Sequence, residues 1–311
     1  MTFEKTIPIE QELVNIFGVN DQNLNYLKSL FPDLEINVRG NVIYINGSNK
    51  DTKEATRILD EMLLMGSKNK TIEIPDLELI AKITNSKKLN KSKISQLNVI
   101  DNKFIKVKNI NQFKYLETID NSTITFGIGP AGTGKTFLAV ASAVKMYSEN
   151  KIKKIVLTRP AVEAGERLGY LPGDLSQKID PYLVPLFDSL EYFFGNETLQ
   201  YLIEKRNIEI VPLAYMRGRT LNDACIILDE AQNATMSQIK MFLTRLGKNT
   251  TMVVNGDPSQ IDLPASKSSG LLESINILDN IEEIKITRFE SDDVQRHPLV
   301  SKIIDAYKKN Q

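Results

Sequence analysis

Ser122-Thr123-Ile124-Thr125-Phe126-Gly127-Ile128-Gly129-Pro130-Ala131-Gly132-Thr133-Gly134-Lys135-Thr136-Phe137-Leu138-Ala139-Val140-Ala141 is the stretch whose reading decides the fold. Its first third is β-branched and apolar and predicts a strand over 123–128. Its last part, continuing through Val144, predicts a helix that begins near residue 135. Between them, Gly129 to Thr136 satisfies the pattern G-x-x-x-x-G-K-[ST] in full, in the strand–loop–helix context that gives the pattern meaning. The glycines admit backbone angles that a Cβ forbids, and they let main-chain amides approach a phosphate closely. The start of the helix adds partial positive charge and unpaired N–H donors. Gly129, Pro130, Ala131, Gly132, Thr133, Gly134, Lys135 and Thr136 are therefore the expected cradle for a nucleotide. Lys135 is expected to reach the β- and γ-phosphates, and Thr136 to ligate Mg²⁺.

Outward from this loop, apolar strand candidates at 154–158, 208–211, 224–228, 251–255 and 283–287 alternate with helix candidates beginning near 180, 197, 235, 268 and 298. That alternation predicts an α/β core with a mainly parallel sheet flanked by helices. Ala224-Cys225-Ile226-Ile227-Leu228 reads as a buried central strand that delivers Asp229 and Glu230 to the ligand crevice. Asp229 is expected on the metal and Glu230 on the attacking water. Met252-Val253-Val254-Asn255 ends in Gly256-Asp257-Pro258-Ser259-Gln260, which resembles the third motif of superfamily 1 helicases, with Gln260 sensing the γ-phosphate. The alternative for this turn is an ordinary Gly-Asp-Pro bend. Phosphoryl transfer also calls for an arginine. Arg296, in Arg296-His297-Pro298, is ranked first for that part, Arg217 and Arg219 follow, and Thr158-Arg159-Pro160 is a further arginine-bearing piece. Upstream, Gln112 lies beside aromatic residues and is a candidate reader of the adenine edge. The guanine-specifying [NT]-K-x-D pattern is absent, which favours ATP.

The front of the chain reads β-α-α-β-β-α over residues 1–66, with Arg39-Gly40-Asn41 turning a hairpin. This order resembles a KH domain, an RNA-binding module that clamps the backbone with a GXXG loop. Here that place holds Gly18-Val19-Asn20-Asp21, and the acid at its end opposes phosphate. Residues 67–120 read as a lysine-rich linker and lead-in, and 121–311 as the core. Nine lysines and a single acid, Asp101, fall between residues 82 and 115 of a chain with zero net charge. That stretch is either a nucleic-acid contact or a solvated tether. One cysteine excludes a disulfide framework and suits a reducing cytoplasm. The N-terminus does not read as a secretory signal, and no apolar run is long enough for a membrane helix.

Taken together, the motifs resemble the PhoH-like ATPase family. They are the loop at 129, Thr-Arg-Pro-Ala-Val-Glu-Ala-Gly-Glu at 158, Leu-Pro-Gly-Asp-Leu at 171 and Leu-Ala-Tyr-Met-Arg-Gly-Arg-Thr-Leu-Asn-Asp-Ala at 213. Ile-Ile-Leu-Asp-Glu-Ala-Gln-Asn at 226, Asn-Gly-Asp-Pro-Ser-Gln-Ile-Asp-Leu-Pro at 255 and Arg-His-Pro-Leu-Val at 296 complete the set. The resemblance spans about residues 105 to 308. It implies a RecA-like P-loop NTPase core related to superfamily 1 helicases, RNA as the polymer, and a part with an endoribonuclease in ribosomal RNA maturation. Such helicases close their site with a second core, which this chain lacks. The expectation is therefore a homo-oligomer, such as a hexameric ring, in which a neighbour supplies the arginine. Two other classes are open: a nucleotide-dependent switch or scaffold that docks the nuclease with little turnover, and a small-molecule kinase, for which an acceptor pocket and lid are not evident.

Overall fold

A computed structural model describes residues 2–7, 13–66, 72–85, 96–100, 103–160, 175–264, 268–295, 299, 300, 303 and 306. The chain divides into two compact units, residues 1–97 with 104–113, and residues 98–103 with 114–311.

The first unit opens with β1 (Thr2–Thr6), α1 (Leu13–Phe17), α2 (Gln22–Leu30), β2 (Glu35–Arg39), β3 (Val42–Asn46) and α3 (Asn49–Gly66). Its sheet has the order β1-β3-β2, and both pairings are antiparallel. Ile36, Ile43 and Ile45 on the strands are buried, as are Ala55, Ile58, Leu59 and Met62 along one face of α3. The spacing of those four residues is that of a single helix face. Asp21 does not cap α2 with its side chain, because its backbone is left-handed, with φ 55°. Residues 67–120, expected as a linker and lead-in, carry regular structure among the described positions. They contribute α4 (Ile74–Asn85), β4 (Gln96–Ile100), β5 (Lys103–Lys106) and α5 (Ile110–Asn121), and β4 pairs with β5. Leu77, Ile80 and Ile83 bury the inner face of α4, which packs on α3. Asp76 ties this segment together: its carboxylate accepts from the Glu73 N–H at 3.0 Å and pairs with Lys106 at 2.6 Å.

The second unit runs β6 (Ile124–Ile128), α6 (Lys135–Ser148), β7 (Lys154–Arg159), α7 (Leu175–Phe194), α8 (Asn196–Glu204), β8 (Ile208–Pro212), β9 (Ala224–Leu228), α9 (Met236–Leu243), β10 (Thr251–Gly256), α10 (Leu271–Leu278) and β11 (Ile284–Arg288). Its six strands lie in the order β11-β6-β10-β9-β7-β8, and every pairing is parallel. All residues of β6 and β9 are buried, which explains their continuous apolar runs. The strands agree with the expected ones to within a residue or two. The helix foreseen near 180 begins at Leu175, and the one foreseen near 298 starts outside the described residues.

Cys225 sits in the middle of β9 at 0 % exposure, and burial pushes its thiol up to about 12. Native protein at pH 8 is accordingly expected to leave thiol reagents unconsumed, and unfolded protein to consume one equivalent. Rapid labelling of the native chain would show that β9 is not closed. No helix among the described residues is long and apolar enough to cross a membrane.

Candidate active site

Parallel pairing aligns the carboxyl ends of four strands, and the site is built there. Register places Gly256 opposite Ile128, Val254 opposite Leu228, and Thr158 opposite Leu228. The tip of β10 therefore lies between the loop that follows β6 and the Asp229-Glu230 pair that follows β9. Arg159, one residue beyond Thr158, lies beside Asp229.

The loop is held from several directions. Gly129, Gly132 and Gly134 have φ of 145°, 84° and 85°, angles that suit glycine. A Cβ on Gly129 would also collide with the Phe289 carbonyl. The Gly129 N–H donates to Gly256 O at 3.1 Å, and the Gln295 N–H donates to Gly132 O at 2.8 Å. The Ala131 N–H donates to the Asp257 carboxylate at 2.9 Å. Lys135 is folded into the loop, with its ammonium donating to Gly129 O and Pro130 O, both at 2.7 Å. The first N–H groups of α6 have no partners within the helix, as at any helix start. Loop and helix together present amide and ammonium donors to one small volume.

The acids meet that volume. Thr136 Oγ1 donates to Asp229 Oδ1 at 2.7 Å, across 93 residues of chain. Arg159 donates to Asp229 Oδ2 through Nε at 2.9 Å and through Nη2 at 2.5 Å. Glu230 follows in the left-handed region with φ 56°, an uncommon conformation for a non-glycine residue and one concentrated at functional sites. Its Oε2 accepts from Gln232 Nε2 at 2.6 Å. Gln232 Oε1 in turn accepts from the Asp257 N–H at 2.9 Å. A cavity of about 270 Å³ is lined by Ala131, Gly132, Gly134, Lys135, Thr136, Phe137, Arg159, Pro185, Ser189, Asp229, Glu230, Gly256, Asp257 and Gln260.

The half-buried Thr136 hydroxyl and the buried Asp229 carboxylate, in contact, form a hard, all-oxygen donor pair of the kind Mg²⁺ prefers. Among the described residues, no cluster of three or more His, Cys, Asp or Glu side chains could cage a metal alone.

Not every expected residue gathers here. Gln112 lies in the first unit, 5 % exposed, with its Oε1 accepting from the Lys108 N–H at 2.9 Å. It does not line the cavity, and the neighbouring rings of Phe113 and Tyr115 are buried rather than open for stacking. Tyr115 instead donates to Asn255 Oδ1. Burial, and then the Asp229 charge, hold its phenol well above the usual tyrosine range. Arg219 pairs with Glu209 at 2.6 Å, and Arg217 is exposed away from the cavity. Arg296 and His297 lie outside the described residues, as do residues 161–174, which hold all of the two motif segments at 158 and 171 except residues 158–160 and 175. Asp257 and Gln232 had no assigned part in the sequence reading. Both lie within the quoted motif segments, Asp257 in the one at 255 and Gln232 in the one at 226, but the partners they find are 126 and 25 residues away.

A protein-family profile described as PhoH-like protein matches residues 104–308. A PhoH-like protein of Mycobacterium tuberculosis (strain ATCC 25618 / H37Rv) is 46% identical over 299 residues, covering 95% of this chain and 84% of the relative. A PhoH-like protein of Bacillus subtilis (strain 168) is 46% identical over 306 residues, covering 96% and 94%. A solved SWI2/SNF2 ATPase core of Sulfolobus solfataricus, in complex with dsDNA, aligns with a TM-score of 0.37 and 16% identity over 69% of this chain and 55% of that one.

Proposed function

This chain belongs to the PhoH-like protein family and is a P-loop NTPase, and on that premise we propose that it hydrolyses ATP to drive RNA remodelling or processing. The observation that carries the proposal is the meeting of Thr136 with Asp229 at 2.7 Å inside one cavity shared with Lys135 and Glu230. On this reading Lys135 exchanges the carbonyls of Gly129 and Pro130 for the β- and γ-phosphates. Thr136 and Asp229 hold Mg²⁺, which when bound supplies charge to the phosphate oxygens. Glu230 accepts the proton of the attacking water, and Gln260, at the cavity's edge, contacts the γ-phosphate. A base in this position favours turnover over a passive switch. RNA as the polymer is supported by the lysine excess between residues 82 and 115 and by the β-α-α-β-β-α order of the front unit.

The test is steady-state ATP hydrolysis with and without single-stranded and structured RNAs, across roughly 50 to 200 mM salt. RNA is expected to stimulate hydrolysis, and the stimulation to fall steeply with salt, because lysine–phosphate contacts release counterions. Hydrolysis that no RNA alters at the lowest salt would remove RNA from the proposal. No hydrolysis at all would remove the ATPase itself.

A further inference from the structure

We infer that Arg159 is the arginine that meets the γ-phosphate of ATP, that it acts within its own chain, and that Asp229 holds it until the nucleotide arrives. The inference rests on the ATPase reading above. Among the described residues, Arg159 is the one arginine lining the cavity. Its side chain is 14% exposed, with two N–H groups on Asp229 Oδ2 and Nη2 3.9 Å from Glu230 Oε1. The guanidinium thus lies within reach of both acids that the reaction uses. Arg219 is occupied by Glu209, and Arg245 by the carbonyls of Met241 and Arg219.

The charges make this arrangement conditional on the ligand. Asp229 offers Oδ1 to Thr136 and Oδ2 to Arg159. A guanidinium and a divalent cation held by one buried carboxylate repel each other in a poorly screened site. When Thr136 and Asp229 take up Mg²⁺, Arg159 has to release Asp229 and find another anion. A terminal phosphoryl group on the Lys135 loop supplies one, and a guanidinium spans two of its oxygens where a lysine would touch one. With ADP no such group is present, so Arg159 stays on Asp229 as a competitor for the metal site. The same side chain then strengthens the triphosphate complex and weakens the diphosphate complex. Assembly of a ring is not needed to complete the site.

The experiment measures affinity for Mg²⁺-ADP and for a non-hydrolysable Mg²⁺-ATP analogue by calorimetry, using the full chain and its Arg159→Ala and Arg159→Lys variants. In Arg159→Ala the triphosphate analogue is expected to bind on the order of 10- to 100-fold more weakly, the loss of a charge-assisted contact. ADP is expected to bind as before or more tightly, and to need less Mg²⁺. Should Arg159→Ala fail to fold, Arg159→Lys decides. It keeps the charge but loses the fork, so its preference for triphosphate is expected to fall severalfold with ADP binding unchanged. Equal weakening of both ligands would make Arg159 only a prop for Asp229, and an unaltered preference would leave it no part; either overturns the inference. Mixing Arg159→Ala with Lys135→Ala protein tests the location: restored hydrolysis would place the arginine in a neighbouring copy. Wild-type protein that binds neither ligand would instead overturn the ATPase reading, a result distinct from all of these.

Discussion

Glu230→Gln protein is expected to bind ATP about as tightly as the parent and to hydrolyse it on the order of 10²- to 10⁴-fold more slowly. Glutamine keeps the size of the side chain and an oxygen that can accept the Gln232 amide, now 2.6 Å from Glu230 Oε2. What it loses is basicity toward water, together with the charge 3.9 Å from Arg159 Nη2. The left-handed backbone at residue 230 is unaltered by the change, and the Thr136 and Arg159 contacts of Asp229 do not involve residue 230. Binding and chemistry should therefore separate. Equal steady-state rates for the two proteins would reject Glu230 as the base and revive the passive-switch alternative. Trapped ATP in the variant, seen as stoichiometric nucleotide after gel filtration, would support the assignment independently.

Lys135→Ala is the second change with a large expected effect, and it should act on binding. Lys135 is only 8% exposed and is tied to two loop carbonyls. With ATP bound, the proposed function exchanges those contacts for phosphate oxygens, with charge-assisted bonds worth roughly 1.5–3 kcal/mol each. Losing two such contacts predicts ATP affinity lower by on the order of 100-fold or more. The apoprotein should also melt earlier, since the Gly129 and Pro130 carbonyls lose a donor. Affinity for ATP within threefold of wild type, in a variant whose circular dichroism is native, would show that the loop does not use this lysine.

Lys135 and Glu230 differ from the other residues of the cavity in how far their positions follow from the sequence alone. Lys135 stood in a contiguous pattern whose meaning is local: glycine angles, a strand before and a helix after. The helix does begin at residue 135. Glu230 was legible for a related reason, as the end of an apolar run too continuous for anything but a buried strand. Arg159 was visible only as one arginine among several. Gln112 was favoured by its position upstream of the loop, yet in the fold its carbonyl oxygen closes a turn on Lys108. The α4 helix, in which Leu77, Ile80 and Ile83 recur at helical spacing with Lys82 as the helix's one lysine, is not among the elements expected from the sequence.

By itself, then, the amino-acid order determined the six strands of the second unit, the glycine-rich loop ahead of α6 and the placing of Asp229 and Glu230 at the end of β9, since each depends on neighbours within a few positions. Only the tertiary structure decided that β10 lies between β6 and β9, that Asp257 reaches Ala131 across 126 residues, and that Arg159 rests on Asp229 across 70. The physical reason is that strand order in a parallel sheet is set by how each crossover packs its apolar face. No local pattern records which strand tips become neighbours, and the partners of charged residues at those tips follow from that order.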